Sequence, residues 1–174
     1  MSSMSGGIEV DICVIGAGSG GLSGAAGASQ LGASVALVER RLMGGDCLNF
    51  GCVPSKALLA AGKSAHNIAG AARFGITSAA PGIDQKAVRQ HVRDVIAAIA
   101  PHDSIERFRA LGVNVILGAA RFTGPREIQV DGQTIRARRF VVATGSSPVV
   151  PAIPGLDGVP YLTNETLFEY DQPM

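Results

Sequence analysis

The chain has 174 residues, 47% of them hydrophobic and 17% charged, enough for one globular domain with a sizeable core. Fifteen basic against fourteen acidic side chains leave a net charge of +1, so charge gives no case for nucleic acid or an anionic membrane as partner. The amino terminus MSSMSGG is polar where a secretory signal needs an apolar stretch, and no run of eighteen apolar residues occurs; a cytosolic location is expected.

The first forty residues read as a strand, a glycine turn, a helix and a second strand. Val10 to Ile15 and Ser34 to Glu39 are almost continuously apolar rather than alternating, which marks parallel strands covered on both faces. The small-residue helix between them runs to Leu31, with Gly32 placed to cap it. Gly16-Ala17-Gly18-Ser19-Gly20-Gly21 fits G-x-G-x-x-G between strand and helix. Gly16 permits the tight turn, Gly18 lets a pyrophosphate approach the backbone, and Gly21 lets helix and strand pack closely. Ser19 and Gly20 open the helix whose N-terminus would hold the diphosphate. Glu39 ends the second strand where an acid binds adenosine ribose hydroxyls, which favours FAD or NAD over NADP. A glycine turn that binds nothing and a plain NAD dehydrogenase are the competing readings of this unit.

Gly44 to Leu59 reads GGDCLNFGCVPSKALL. Cys47 and Cys52 are separated by Leu48, Asn49, Phe50 and Gly51, and a regular helix would spread them by about 7.5 Å of axial rise. A disulfide tolerates a Cα separation of about 4.4 to 6.8 Å. A bridge would therefore need a bent or non-helical stretch, which Asn49 and Gly51 can supply. Pro54 suits a first helical turn, which places Cys52 at a helix N-terminus, where partial positive charge favours a thiolate. In a reducing compartment a close cysteine pair reads as catalytic, redox-sensing or metal-binding. A zinc site fails for want of ligands, since beyond Cys13 only His66, His91 and His102 remain, none at finger-like spacing. Cys13 lies in an apolar strand and reads as a small core residue.

The helix behind the cysteines continues from Ala57 to about Ile68, and residues 70–82 break the pattern. A second long helix, capped by Asp84, keeps Val88, Val92, Val95, Ile96 and Ile99 on one face until Pro101. Asp103 and Glu106 resemble a capping box restarting a helix that carries Ile105, Phe108 and Leu111 to Gly112. Short strands follow at Val113 to Leu117, Glu127 to Val130 and Gln133 to Arg136, the last two joined by Asp131-Gly132, a strong hairpin signal. Arg136, Arg138 and Arg139 read as a solvated strand edge. Phe140 to Ala143 is another buried strand, entering Thr144-Gly145. Pro148, Pro151, Pro154 and Pro160 then space an extended connector to Met174.

Three motifs in order, the fingerprint through Glu39, the dithiol segment and Val141-Val142-Ala143-Thr144-Gly145, resemble those of the pyridine nucleotide-disulfide oxidoreductases. This is the flavoprotein family of dihydrolipoamide dehydrogenase, glutathione reductase and mercuric reductase. The resemblance runs over essentially the whole chain, and Leu48, Asn49, Ser55 and Ala57 to Leu59 lean towards the lipoamide dehydrogenase and mercuric-reductase-like branches. It implies an α/β fold: a Rossmann-like FAD-binding domain with a parallel sheet and a small antiparallel β meander over residues 1–150, then a connector over 151–174 towards an NAD(P)-binding domain.

The resemblance also implies a chemistry. NAD(P)H reduces FAD, and the flavin reduces a Cys47–Cys52 disulfide, which passes the electrons to a lipoyl-type or other small-molecule disulfide. Cys52 would be the flavin-proximal thiolate, Cys47 the interchange thiol and Lys56 a residue beside the flavin ring. Gly16, Gly18, Ser19, Gly20, Gly21, Glu39, Arg40, Gly45, Ala143, Thr144 and Gly145 would line FAD, and no metal site is implied. Asp46 stands where many members carry Thr, and Ser19 replaces a Pro found in many lipoamide dehydrogenases. Family members continue beyond Leu162 to Leu167 into NAD(P)-binding and dimerisation domains and act as homodimers. The expectation is an amino-terminal FAD-binding part, incomplete relative to the family and inactive alone. The alternative is a non-catalytic dinucleotide-binding or thiol redox-sensing module.

Overall fold

The computed structural model describes residues 7–170. The polar amino terminus and the last residues of the connector lie outside the described residues. The chain forms two compact units, one of residues up to Gly45 with Ala100–Ser146, the other of Asp46–Ile99 with the chain from Ser147 onward.

The first unit is built on a six-stranded sheet. β1 (Ile8–Ile15), α1 (Ser19–Gln30) and β2 (Val35–Glu39) form the βαβ unit expected of the sequence. Every residue of β2 is buried. Val35 and Leu37 face a core with Val14, Leu22, Ala25 and Phe108, while Ala36 and Val38 face another with Cys13, Ile128 and Ile135. Two covered faces explain why the strand is apolar from Val35 to Val38. Gly32, at φ +86°, turns the chain out of α1, and its N–H donates to the Ser29 carbonyl at 2.9 Å.

In the second unit Cys47 lies in a short helix, α2 (Gly45–Asn49), and Cys52 opens the long α3 (Cys52–Ala69). The break between the cysteines falls at Phe50-Gly51, whereas Asn49, expected to help break the helix, is helical. α3 packs against α4 (Gln85–Ile99). Asp84 caps α4, its Oδ1 accepting from the amides of Lys86 and Ala87 at 2.9 and 3.1 Å. Val92 is buried, and Val88, Val95 and Ile96 are half-buried around it.

Back in the first unit, α5 (Ile105–Ala110) starts one residue later than the capping-box reading of Asp103 implied. Ser104 is the cap, its Oγ accepting from the Arg107 amide at 3.2 Å. β3 (Asn114–Leu117) then pairs in parallel with β2. β4 (Ala120–Gly124), not among the strands expected from the sequence, is antiparallel to β5 (Glu127–Val130).

The segments Gln133 to Arg136 and Phe140 to Ala143, read separately from the sequence, are one ten-residue strand, β6 (Gln133–Val142). It pairs antiparallel with β5 and in parallel with β1, from Ile8↔Ile135 to Ile15↔Val142. The arginines between the two segments sit on solvent-facing positions and are held there. Arg136 pairs with Glu127 at 3.0 Å and Arg138 with Asp11 at 3.1 Å. The Asp11 carboxyl is held below its usual range, first by hydrogen bonds from Ser34 and then by Arg138. Asp131 (φ +46°) and Gly132 (φ +86°) make the tight turn of the β5–β6 hairpin.

Phe108 is 1% exposed at the centre of the core beneath α1. Phe108→Ala should cost about 3–5 kcal/mol. The check is a urea titration followed by circular dichroism, in which an unshifted midpoint would contradict this placement.

Candidate functional site

The turn after β1 is closely packed. A Cβ on Gly16, whose φ is +103°, would collide with the Ala143 carbonyl, and one on Gly21 would collide with the Gly16 carbonyl. Gly20 has nothing within 4 Å, and Gly18 only the Gly45 Cα at 3.9 Å. So Gly16 and Gly21 are glycines because the backbones touch there, while Gly18 and Gly20 leave open space. The first turn of α1 has no side-chain cap and no acidic residue. Its amides at Ser19, Gly20 and Gly21 have no acceptor within the helix, which suits them to an anion.

Glu39 is 8% exposed, and its carboxylate is fixed by two backbone donors. The Ala17 amide donates to Oε2 at 2.6 Å and the Arg41 amide to Oε1 at 2.7 Å. These bonds compensate the burial of a charge and aim it along the edge of the glycine turn. Sequence reasoning missed both donors, because a backbone amide carries no residue-type signal. The Arg40 side chain is exposed.

Gly44 and Gly45 close the unit's second approach to the fingerprint. The Gly44 amide donates to the Ala17 carbonyl at 2.9 Å, Gly44 bridges Gly18 in parallel, and a Cβ on Gly45 would lie 2.6 Å from the Gly18 Cα. Both glycines have positive φ, at +83° and +57°. At the end of β6 the Ala143 amide donates to the Ile15 carbonyl at 2.8 Å, and Gly145 follows at φ +64°. The residues expected to line FAD all lie in the first unit. Contacts join Gly16 to Ala143 and Thr144, Gly21 to Gly16, Gly18 to Gly45 and Glu39 to the Ala17 amide, while Ser19 and Gly20 open α1, Gly145 follows β6, and Arg40 is exposed. The unit's free helix amides, open glycine surface and oriented carboxylate fit the diphosphate and ribose of a dinucleotide.

The second unit holds Cys47, Cys52 and Lys56. Both thiols are free, Cys47 half-buried and Cys52 exposed, and the two side chains are hydrogen-bonded to each other. That hydrogen bond pushes the Cys47 thiol up, with burial and the charge of Cys52 adding to it. The Cys52 amide and the Lys56 ammonium act in the opposite sense. Contact with Cys52 therefore holds the proton on Cys47 more firmly than on an isolated thiol. Gly51 makes the approach feasible. A Cβ there would lie 3.0 Å from the Asp46 carbonyl oxygen and 3.3 Å from the Cys47 Cα, so the turn between the cysteines has little room for a side chain. Cys13 is fully buried in β1, and burial pushes its thiol up to about 11. Among the described residues no group of three or more His, Cys, Asp or Glu side chains could hold a metal ion. No helix among them is long and apolar enough to cross a membrane.

The first unit is a Rossmann-like α/β unit with a glycine turn on a parallel sheet and an oriented acid at the end of β2, and the second unit carries two cysteines hydrogen-bonded to each other. The pyridine nucleotide-disulphide oxidoreductase family matches residues 10–172, and the chain belongs to that family. It is 36% identical over 164 residues to mercuric reductase of Bacillus cereus, covering 94% of this chain and 26% of that protein. It is 42% identical over 139 residues to dihydrolipoyl dehydrogenase of Thermus scotoductus, covering 80% of this chain and 30% of that protein. The Cu(II) complex of an HOCl-induced flavoprotein disulfide reductase of Escherichia coli shares the fold, with a TM-score of 0.75 at 23% identity over 93% of this chain and 34% of that one. The expected Rossmann-like sheet with its antiparallel meander is therefore present. The chain spans about a quarter to a third of the length of these relatives.

Two outcomes follow from this packing. Gly20→Ala should keep or raise stability by about 0.5–1 kcal/mol, since alanine favours a helix, whereas Gly21→Ala should lose about 3 kcal/mol; thermal melts that rank them the other way would refute the packing. In the reduced chain at neutral pH, limiting iodoacetamide should label Cys52 before Cys47 and leave Cys13 unlabelled, as peptide mass mapping would show.

Proposed function

We propose that the chain supplies the FAD-binding part, over residues 1–150, and the redox dithiol of a flavoprotein disulfide reductase, with residues 151–174 as a connector. In that reading two electrons pass from NAD(P)H through FAD to a Cys47–Cys52 disulfide. The resulting dithiol reduces a lipoyl-type disulfide, giving the dihydrolipoyl dithiol, or a related small-molecule disulfide, releasing two substrate thiols and re-forming the Cys47–Cys52 bond. The observation that carries the reading is the pair itself: two thiols hydrogen-bonded to each other across the Gly51 turn, one on α2 and one opening α3. Family membership supports FAD and NAD(P)H as its cofactors.

The chain's own residues have separable tasks. Free amides at Ser19, Gly20 and Gly21 bind the diphosphate, and Gly18 admits it against the backbone. Glu39 accepts from ribose hydroxyls with the lone pairs that Ala17 and Arg41 leave open, and its charge disfavours a 2′-phosphate. When bound, FAD relays electrons from a nicotinamide to the cysteine pair. Cys52 is the flavin-proximal thiolate and Cys47 the interchange thiol. Cys47, kept protonated beside it, attacks the substrate disulfide once its proton is removed, and Cys52 resolves the mixed disulfide. Lys56, one turn along α3 from Cys52, favours the anionic dithiol by its charge. The relatives' names, mercuric reductase and dihydrolipoyl dehydrogenase, support a substrate among soft metal ions or disulfides that thiols attack. A homodimer and a cytoplasmic location belong to the same reading.

The test is the visible spectrum of the chain with FAD, before and after dithiothreitol. A bound-flavin spectrum that gains a long-wavelength charge-transfer band on reduction is expected, with the band lost in Cys52→Ser and retained in Cys47→Ser. A spectrum that stays that of free flavin, or a band that survives Cys52→Ser, would overturn these assignments.

A further inference from the structure

Asp46 immediately precedes the first thiol, in the first turn of α2, where a carboxylate suits the free amides of a helix start. Its two oxygens face different partners. Oδ1 accepts from Nδ2 of Asn164 at 2.8 Å, a bond spanning 118 positions inside the second unit. Oδ2 lies against the Gly51 turn, where a Cβ would approach it to 2.7 Å. The Asp46 carbonyl meanwhile accepts from the Phe50 amide at 2.8 Å. Asp46, the residue before Cys47, thus contacts Phe50 and Gly51, the two residues before Cys52.

Asn164 is itself well held. It opens α6 (Asn164–Leu167), whose cap is Thr163. The Thr163 amide donates to Thr166 Oγ1 at 2.9 Å, and the Leu167 amide donates to the Thr163 carbonyl at 2.9 Å. The amide that meets Asp46 is therefore presented from a self-capped turn, not from loose chain.

We propose that Asp46 and Asn164 form a positioning clamp that holds the turn between Cys47 and Cys52 closed and so favours disulfide formation by this pair. The inference rests on reading the pair as a redox dithiol. With glutathione disulfide as oxidant the balance is plain. One Cys47 S–H and one Cys52 S–H are lost, the Cys47–Cys52 S–S bond forms, the glutathione S–S bond breaks, and two glutathione thiols leave with the protons. The dithiol gives up two electrons and the oxidant gains them. Closing this ring costs less conformational entropy when the turn is already held in place, so a clamp present in the dithiol raises the effective concentration of one sulfur at the other. The bond is solvent-exposed, which sets the scale of the effect at a few-fold.

The test equilibrates the 174-residue chain with glutathione buffers of varied thiol-to-disulfide ratio, quenches in acid, alkylates free thiols and reads the Cys47–Cys52 peptide by mass. The midpoint value of [GSH]²/[GSSG] should fall about two- to fivefold in Asn164→Ala, a change remote in sequence from both cysteines. Asn164→Asp, which sets two carboxylates face to face, should lower it at least as far. Adding Asp46→Asn to Asn164→Asp should return the midpoint towards the parent value, because carboxylate and amide have only exchanged sides. An unshifted midpoint in Asn164→Ala, or a failure of the exchanged pair to restore it, would overturn the clamp while leaving the dithiol reading intact. A parent chain whose cysteines stay reduced at every ratio would remove the dithiol reading and the clamp with it.

Discussion

The first unit depends on backbone meeting backbone at one turn. Gly16 presses on the Ala143 carbonyl, Gly21 on the Gly16 carbonyl, and Gly45 comes close to Gly18. The same turn is bonded to two strands, since the Gly16 amide donates to the Val38 carbonyl and the Ala143 amide to the Ile15 carbonyl, both at 2.8 Å. The ends of β1, β2 and β6, the start of α1 and the Gly44-Gly45 step therefore converge within a few ångströms. The free amides of α1 are available to a ligand because these contacts hold the helix start against the sheet instead of covering it. Buried Glu39 is part of the same arrangement, for its carboxylate is oriented by the Ala17 amide of that turn.

How far this was legible in the sequence follows from the range of each interaction. The βαβ unit could be read because burial on two faces leaves Ile12 to Ile15 of β1 and Val35 to Val38 of β2 as unbroken apolar runs, and because Gly16 and Gly21 stand where only backbone fits. The break between the cysteines was legible in Gly51, though Asn49 turned out helical. The middle of β6 was hidden by Arg136, Arg138 and Arg139, which look like an interruption until Glu127 and Asp11 are seen opposite two of them. β4 was missed although Ala120, Arg121, Phe122 and Thr123 alternate apolar and polar, because the run is only five residues long and Phe122 is its one large apolar side chain. Ser104 took the cap from Asp103, a local contest between neighbouring capping residues. The Asp46–Asn164 bond had no local sign at all, since its partners lie 118 residues apart and only the fold brings them together.

The cysteine pair shows how modest interactions set chemical roles. Neither thiol is deeply buried, and among the described residues no cluster of three or more possible metal ligands includes them. The asymmetry comes from the pair itself, Cys47 being half-buried and raised by its neighbour, and Cys52 exposed at a helix start. Cys13 is the contrast in the same chain: full burial in β1 makes it a core residue with an unreactive thiol.

The continuity of β6 carries a consequence for how the chain reaches this state. β1 lies in the middle of the sheet, yet one of its neighbours, β6, is made only after the chain from 16 to 132 has been synthesised. Until then one edge of β1 has no strand to pair with, and the cysteine segment, α3 and α4 all emerge during the wait. Because β6 is one uninterrupted strand, its arrival joins the parallel sheet and the meander in a single register, and a one-residue slip would turn the inward side chains of both to solvent. Such late, long-range pairing makes for slow folding and leaves a strand edge open to neighbouring chains meanwhile. During synthesis, the hazard in this protein is therefore edge-to-edge association at β1 before residue 133 appears.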